Sequence, residues 1–241
     1  MIDISVRVAF IIVALFLPTA SYSLDDKQAR GLIRAADRAV MAGEIAAIVA
    51  TIPKAMGASF KTGDTLIEFD CRLFMSQKAK VQADRKAARA TLANSRDLEK
   101  MGSIGKLEVT LAEAELEKTN AELAIAKLNV ERCRVKAPFD GKVVQHFVKR
   151  HESVDLRQNL IEIVSSERLE VEVIVPGQWL REIKLGHEAR ITIDETGASA
   201  PVQITAISGA IDPVSQTVVM RGEILQPPSD LIPGMSGVLM F

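Results

Sequence analysis

From Arg72 to Cys133 the sequence contains no proline, is dominated by alanine and charged residues, and has only Gly102 and Gly105 as helix breakers. A stretch of that kind predicts two helices joined at Met101-Gly102-Ser103-Ile104, each about 40 Å long at about 1.5 Å per residue. The second helix carries a heptad stripe of Val109, Ala112, Leu116, Thr119, Leu123, Ala126, Val130 and Cys133. Its alternating steps of three and four are the period of a coiled-coil seam. The first helix gains a matching stripe when the chain is folded antiparallel about position 102. Phe74 then faces Val130, Val81 faces Leu123, Ala88 faces Leu116 and Leu92 faces Ala112. Lys78 and Arg85 fall opposite Ala126 and Thr119, where long basic side chains can reach outward to water. The same mirror sets Cys71 against Cys133, so one reflection accounts for both the packing and the cysteines.

The segments on either side read as β-structure. Ile45 to Ile52 is a β-rich run ending at Pro53, Gly57 and Gly63-Asp64 mark turns, and Thr65 to Phe69 is a second strand. Leu32 to Met41 suits helix and strand equally. Beyond Cys133, Val135 to Val144 reads as strand, turn, strand, followed by a strand at Leu160 to Val164. Leu160-Ile161-Glu162 repeats Leu66-Ile67-Glu68, which gives one half of a small β-unit on each side of the helices. An antiparallel hairpin brings its two ends together, as an insertion into a domain requires. Leu169 to Val175 alternates as a strand. Pro176 then opens a short helix to Leu185, stopped at Gly186. Strands at Ala189–Ile193, Val202–Ile207, Val218–Ile224 and Gly237–Phe241 suggest a small antiparallel barrel.

Arg7, the apolar run Val8 to Leu17 and the small-x-small triplet Ser21-Tyr22-Ser23 predict a cleaved export signal over 1–23. Its apolar run is too short to span a bilayer comfortably, and an uncleaved anchor is the alternative. The exported chain would reside in an oxidising compartment such as a periplasm. The 30 Lys and Arg nearly balance the 31 Asp and Glu, and both signs are scattered, which disfavours a nucleic-acid surface.

Chemistry-bearing residues are sparse. Cys71 and Cys133 can be read as a disulfide, a metal pair or two buried thiols; their mirrored positions and the oxidising compartment favour the disulfide. Packed helices about 8–10 Å apart are wider than a disulfide's Cα separation of roughly 4.4–6.8 Å, so the bridge requires the helices to pinch or fray there. His146, His151 and His187 have no cysteine or carboxylate at metal-ligand spacing and are read as surface histidines. The methionines form no soft-ligand cluster. No nucleophile–base set, phosphate loop or paired-carboxylate motif is present. Neither a catalytic site, a metal nor a cofactor is expected.

The run Arg134-Val135-Lys136-Ala137-Pro138-Phe139-Asp140-Gly141-Lys142-Val143 resembles the x-V-x-A-P-F-D-G-x-V motif of the membrane fusion proteins. These are the HlyD-like periplasmic adaptors of tripartite efflux pumps and of ABC-driven secretion. Gly57, Phe60, Gly63-Asp64, Leu66 and Phe69-Asp70 match the family's first half-domain less closely. Val175-Pro176-Gly177 and Pro233-Gly234-Met235-Ser236-Gly237 resemble its β-barrel. The resemblance implies a split biotinyl/lipoyl-like β-sandwich interrupted by a long antiparallel helical hairpin and followed by a small barrel. It also assigns Leu32–Met41 to a strand. The expected division is signal 1–23, a barrel-contributing segment 24–42, first half 43–70, hairpin 71–133, second half 134–166 and barrel 167–241. Carriers of the biotinyl and lipoyl kind present a lysine on the turn that the hairpin replaces here, so carrier chemistry is not expected.

The resemblance further implies ring assembly, an inner-membrane transporter as partner (RND type preferred over ABC) and an outer-membrane channel. The alternative is a non-conducting structural or regulatory relative of such adaptors. The family's tip pattern resembles Arg-x₃-Leu-x₆-Ser. Arg96 fits its first position, Lys100 replaces the leucine with Met101 beside it, and Ser103 is a shifted serine; these four are the candidate docking residues. Efflux members continue into a membrane-proximal domain, and a short form without it is the expectation here.

Overall fold

The protein is described by a computed structural model covering residues 27–241; the expected export signal lies outside the described residues. In chain order the strands before the helices are β1 (Gln28–Ala35), β2 (Arg38–Ala42), β3 (Ala47–Thr51), β4 (Ser59–Phe60) and β5 (Thr65–Phe69). Helices α1 (Arg72–Lys100) and α2 (Lys106–Glu131) follow. Then come β6 (Arg134–Lys136), β7 (Gly141–His146), β8 (Ser153–Val154), β9 (Asn159–Ser165) and β10 (Leu169–Pro176). The last four are β11 (Glu188–Ile193), β12 (Ser199–Ile207), β13 (Thr217–Ile224) and β14 (Ser236–Met240).

Two four-stranded sheets, ordered β2-β9-β7-β4 and β6-β5-β3-β8, share one core. Leu66 and Ile67 from one sheet and Leu160 and Ile161 from the other are fully buried in it. These are the apolar pairs of the internal repeat, and the repeat extends to its third position. Glu68 on β5 pairs with Arg134 on the neighbouring strand, and Glu162 on β9 pairs with Arg38. Each carboxylate meets an arginine across a strand pair, where side chains are neighbours.

Six antiparallel strands, β1-β10-β13-β12-β11-β14, close into a barrel. The period of two in β10 turns Leu169, Val171, Val173 and Val175 into its interior. Ile33, Ile191, Ile204, Met220 and Leu239 complete that core.

The structure corrects three expectations. The segment 24–42 does not serve the barrel throughout: β1 does, whereas β2 is an edge of the sheet containing β9. β9 is buried on both faces, so both its edges need backbone partners; β7 supplies one and β2 the other. The break falls at Ala36-Asp37, where Ala36 N–H donates to Arg168 and the Asp37 carbonyl accepts from Ser165. The helix expected from Pro176 to Leu185 is only a 3₁₀ turn, Gly177–Arg181. Two residues beyond it, Ile183 is inserted in the barrel core. His146 is not an ordinary surface histidine either, since its Nε2 is buried without a hydrogen-bond partner in the described structure.

Candidate functional site

The helices form an antiparallel pair whose buried and half-buried residues follow the mirrored stripes. On α2, Val109, Thr119, Leu123 and Ala126 are buried, with Ala112, Leu116 and Val130 partly covered. On α1 the covered positions are Phe74, Lys78, Val81, Arg85, Ala88, Leu92 and Ser95, again at alternating steps of four and three. Arg85 resolves its place in the seam by donating from Nε to the Asn120 side chain at 2.7 Å. Buried Thr119 donates its hydroxyl to the Leu116 carbonyl at 3.0 Å.

At the base of the hairpin Cys71 and Cys133 form a disulfide with a Cα separation of 5.8 Å. The helices need not pinch to make it. Cys71 precedes the first turn of α1, and Cys133 lies beyond the last turn of α2. Here the chain is already leaving paired strands: Phe69 N–H donates to the Cys133 carbonyl at 2.9 Å, next to the β5–β6 ladder. Strand spacing, about 5 Å, governs at this point in place of helix spacing. Asp70 N–H donates to Ile48, and the Asp70 carboxylate receives the Arg72 guanidinium. The Arg72 side-chain bond holds the Asp70 pKa below its ordinary value.

The Ala137-Pro138-Phe139-Asp140-Gly141 run acts as scaffold. Gly63 N–H donates to Ala137 and Ala137 N–H to Asp64, at 2.8 and 2.9 Å. Asp140 accepts from both the hydroxyl and the backbone N–H of Thr62, each at 2.6 Å, which lowers its pKa. Gly141 lies against the Val164 backbone, with no space for a Cβ. The run thereby ties the chain after the hairpin to the chain before it.

At the tip α1 ends in a Schellman motif. Gly102, at φ +71°, supplies the left-handed residue; its N–H donates to Glu99, and that of Ser103 to Leu98. Arg96 bonds Glu113 across the hairpin at 2.7 Å, and Lys100 bonds Asp97 at 2.9 Å. Both pairs are exposed and of the kind worth about 0.2–1 kcal/mol, so an incoming partner can exchange them cheaply. Met101 is 69% exposed and Ser103 is exposed. Leu107 and Leu111, at 67% and 61% exposure, extend this tip surface along α2 and were not among the expected docking residues. Their sequence signal was available: they are large apolar residues outside the seam.

Among the described residues no group of three or more His, Cys, Asp or Glu could hold a metal ion. Among them, too, no helix is long and apolar enough to cross a membrane.

This geometry, a split sheet pair with an inserted helical hairpin and a six-stranded barrel, is shared with solved adaptor structures. A MacA–MexA chimeric protein containing the Pseudomonas aeruginosa MexA α-hairpin domain superposes with a TM-score of 0.78 at 17% identity, covering 89% of this chain and 79% of that one. The membrane fusion protein Spr0693 from Streptococcus pneumoniae R6 gives 0.74 at 14% identity, covering 88% and 97%. In sequence, the chain is 25% identical over 195 residues to the solvent efflux pump periplasmic linker SrpA of Pseudomonas putida, covering 74% of this chain and 51% of the relative. The chain is thus similar in fold to solved membrane fusion proteins and in sequence to periplasmic efflux linkers. No family model matches the sequence. The chain spans about half the length of the first curated relatives it matches.

Proposed function

We propose that the protein is a periplasmic adaptor subunit of a tripartite efflux or export system. It works without catalysis, linking an inner-membrane transporter to an outer-membrane channel through ring assembly and docking of the hairpin tip. The observation that carries this reading is the hairpin itself. Its base is covalently closed where it meets the sheets, and its far end offers exposed Met101, Leu107 and Leu111 beside exchangeable ion pairs. The functions of its relatives, a solvent efflux pump linker and a toluene efflux pump linker, support it.

Within this reading the sheet pair is a lipoyl-like sandwich divided into halves 43–70 and 134–166, with the hairpin 71–133 inserted between them and the barrel following at 167–241. Segment 1–23 is the export signal, and the protein lies at the periplasmic face of the inner membrane. An RND-type transporter is the preferred partner and an ABC-type one the alternative. Arg96, Lys100, Met101 and Ser103 dock the channel.

Crosslinking in intact cells followed by affinity capture should recover both a transporter and a channel; recovering neither sinks the adaptor reading. Arg96→Glu combined with Lys100→Glu should reduce channel recovery while leaving transporter recovery unchanged. Undiminished channel recovery would remove the tip residues from the docking surface.

A further inference from the structure

A cleft of about 640 Å³ lies between the sheet pair and the barrel, within the range of about 300–1,000 Å³ usual for small-molecule sites. Its floor is the face of the β2-β9-β7-β4 sheet turned away from the sandwich core. Ile161 and Ile163 point into that core, so Val164 points the other way. Antiparallel pairing sets Arg38 of β2 beside Val164 on one side and Lys142 of β7 on the other. Two cationic residues thus stand in one cross-strand row, about 10 Å apart in the backbone, with an apolar side chain between them.

The roof is the connection from β13 to β14, where Pro227, Pro228 and Pro233 restrict the backbone. Leu231 anchors this segment in the barrel core. Gly234 N–H donates to the Ile33 carbonyl and Ile33 N–H to that of Met235, both at 2.8 Å, which ties the connection to β1. The roof is therefore in place before anything binds, and a preformed wall reduces the entropy lost on binding. Met56 and Ile232 line the same cleft yet are 73% and 57% exposed, two large apolar side chains without cover.

Charge in the cleft has one sign, since no Asp or Glu lines it. Arg38 donates from Nε to Glu162 at 2.7 Å, but buried Glu162 also accepts from Gln145 at 2.7 Å and offers nothing to the cleft. Lys142 has no ion-pair partner among the described residues. It is half-buried, so its ammonium has already lost part of its water and gains from an incoming anion.

We propose that this cleft binds a dissolved single-chain amphiphile with an anionic head group, of the fatty-acid carboxylate kind. The head group lies over Val164 between Lys142 and Arg38, and the hydrocarbon tail runs beneath the proline-held roof against Met56 and Ile232. A neutral hydrocarbon would leave Lys142 unpaired, and a cationic amphiphile would meet two like charges. The site goes beyond the adaptor reading and does not depend on it.

The test titrates the full chain with a dansyl-labelled undecanoate, follows dansyl fluorescence, and competes with laurate or dodecyltrimethylammonium below their micelle concentrations. Saturable binding, displaced by laurate and not by dodecyltrimethylammonium, is the expected result. Lys142→Glu should weaken it at least about tenfold with unchanged circular dichroism. Lys142→Arg should retain it, Ile232→Glu should weaken it, and the remote Lys118→Glu should leave it unchanged. Lack of saturable binding overturns the proposal. So does equal displacement by the cationic amphiphile, equal weakening by Lys118→Glu, or undiminished binding in Lys142→Glu. Transporter and channel capture without laurate binding sinks the site alone. Laurate binding without capture supports the site and sinks the adaptor reading.

Discussion

Opening the Cys71–Cys133 bond should loosen the hairpin and sheet pair while sparing the barrel. The bond closes a loop with a sequence separation of 62 residues. In the chain-entropy relation a loop of that size corresponds to about 4 kcal/mol of stabilisation. The unit that loosens, β2 through β9, has a melting entropy of about 2.1 cal/mol/K per residue, so about 4 kcal/mol moves its melting midpoint by about 15 °C. The molecule supplies its own internal control. Its single tryptophan, Trp179, packs edge-on against Phe241 at 5.7 Å in the barrel, away from the disulfide. Trp fluorescence therefore follows the barrel, and ellipticity at 222 nm follows the helices. The measurement is a pair of thermal melts with and without reductant, repeated on a Cys71→Ala, Cys133→Ala variant. The helical transition should fall by the stated amount under reductant, the fluorescence transition should stay within a few degrees, and the variant should ignore reductant. Equal movement of both transitions, or movement of neither, would refute the assignment of the staple to the hairpin base.

Two further outcomes are expected. The carboxylates of Asp64, Asp70, Asp140 and Glu162 all have pKa values lowered, chiefly by hydrogen bonds from Lys54, Arg72, Thr62 and Gln145 respectively. A lowered folded-state pKa gives stability that is complete above the ordinary carboxylate range near about 4 and lost as pH falls through the folded values. Acid titration of the 222 nm signal should show the loss below about pH 4, and Asp140→Asn should shallow it; stability constant from pH 6 to pH 3 would contradict this. Gly141→Ala places a Cβ against the Val164 carbonyl, whose carbon is 2.9 Å away, and 3.1 Å from Phe60 Cζ. Urea denaturation should register a loss of about 1–3 kcal/mol, and a loss under about 0.5 would show that the β7–β9 pairing yields easily.

The elements with a strong period were the ones readable from sequence. The α2 seam needed only spacing, and the mirror about position 102 found the α1 seam and the cysteine pair because an antiparallel hairpin forces that symmetry. The barrel strands were visible through alternation and turn residues. Allegiance was harder. Nothing local in Arg38–Ala42 says that it pairs with β9 rather than following β1 into the barrel, since the choice depends on β9 having a second edge to satisfy. Glu162 reads as a surface residue beside Ile161, yet it is 4% exposed because Arg38 and Gln145 reach it from neighbouring strands. Exposed Leu107 and Leu111 were masked by the stronger seam of α2: with apolar residues on opposite faces, the helix lacks a clear polar side.

The closed base also has a mechanical meaning. α1 is 29 residues long, so the tip stands about 43 Å from the staple. The hairpin is a lever, and a tilt of about 5° at its root sweeps the far end through about 4 Å, most of the 5.4 Å pitch of a helical turn. Register at the tip is thus decided at the fulcrum, where the disulfide, the Phe69–Cys133 backbone bond and the Asp70 contacts fix the angle at which the lever leaves the sheets.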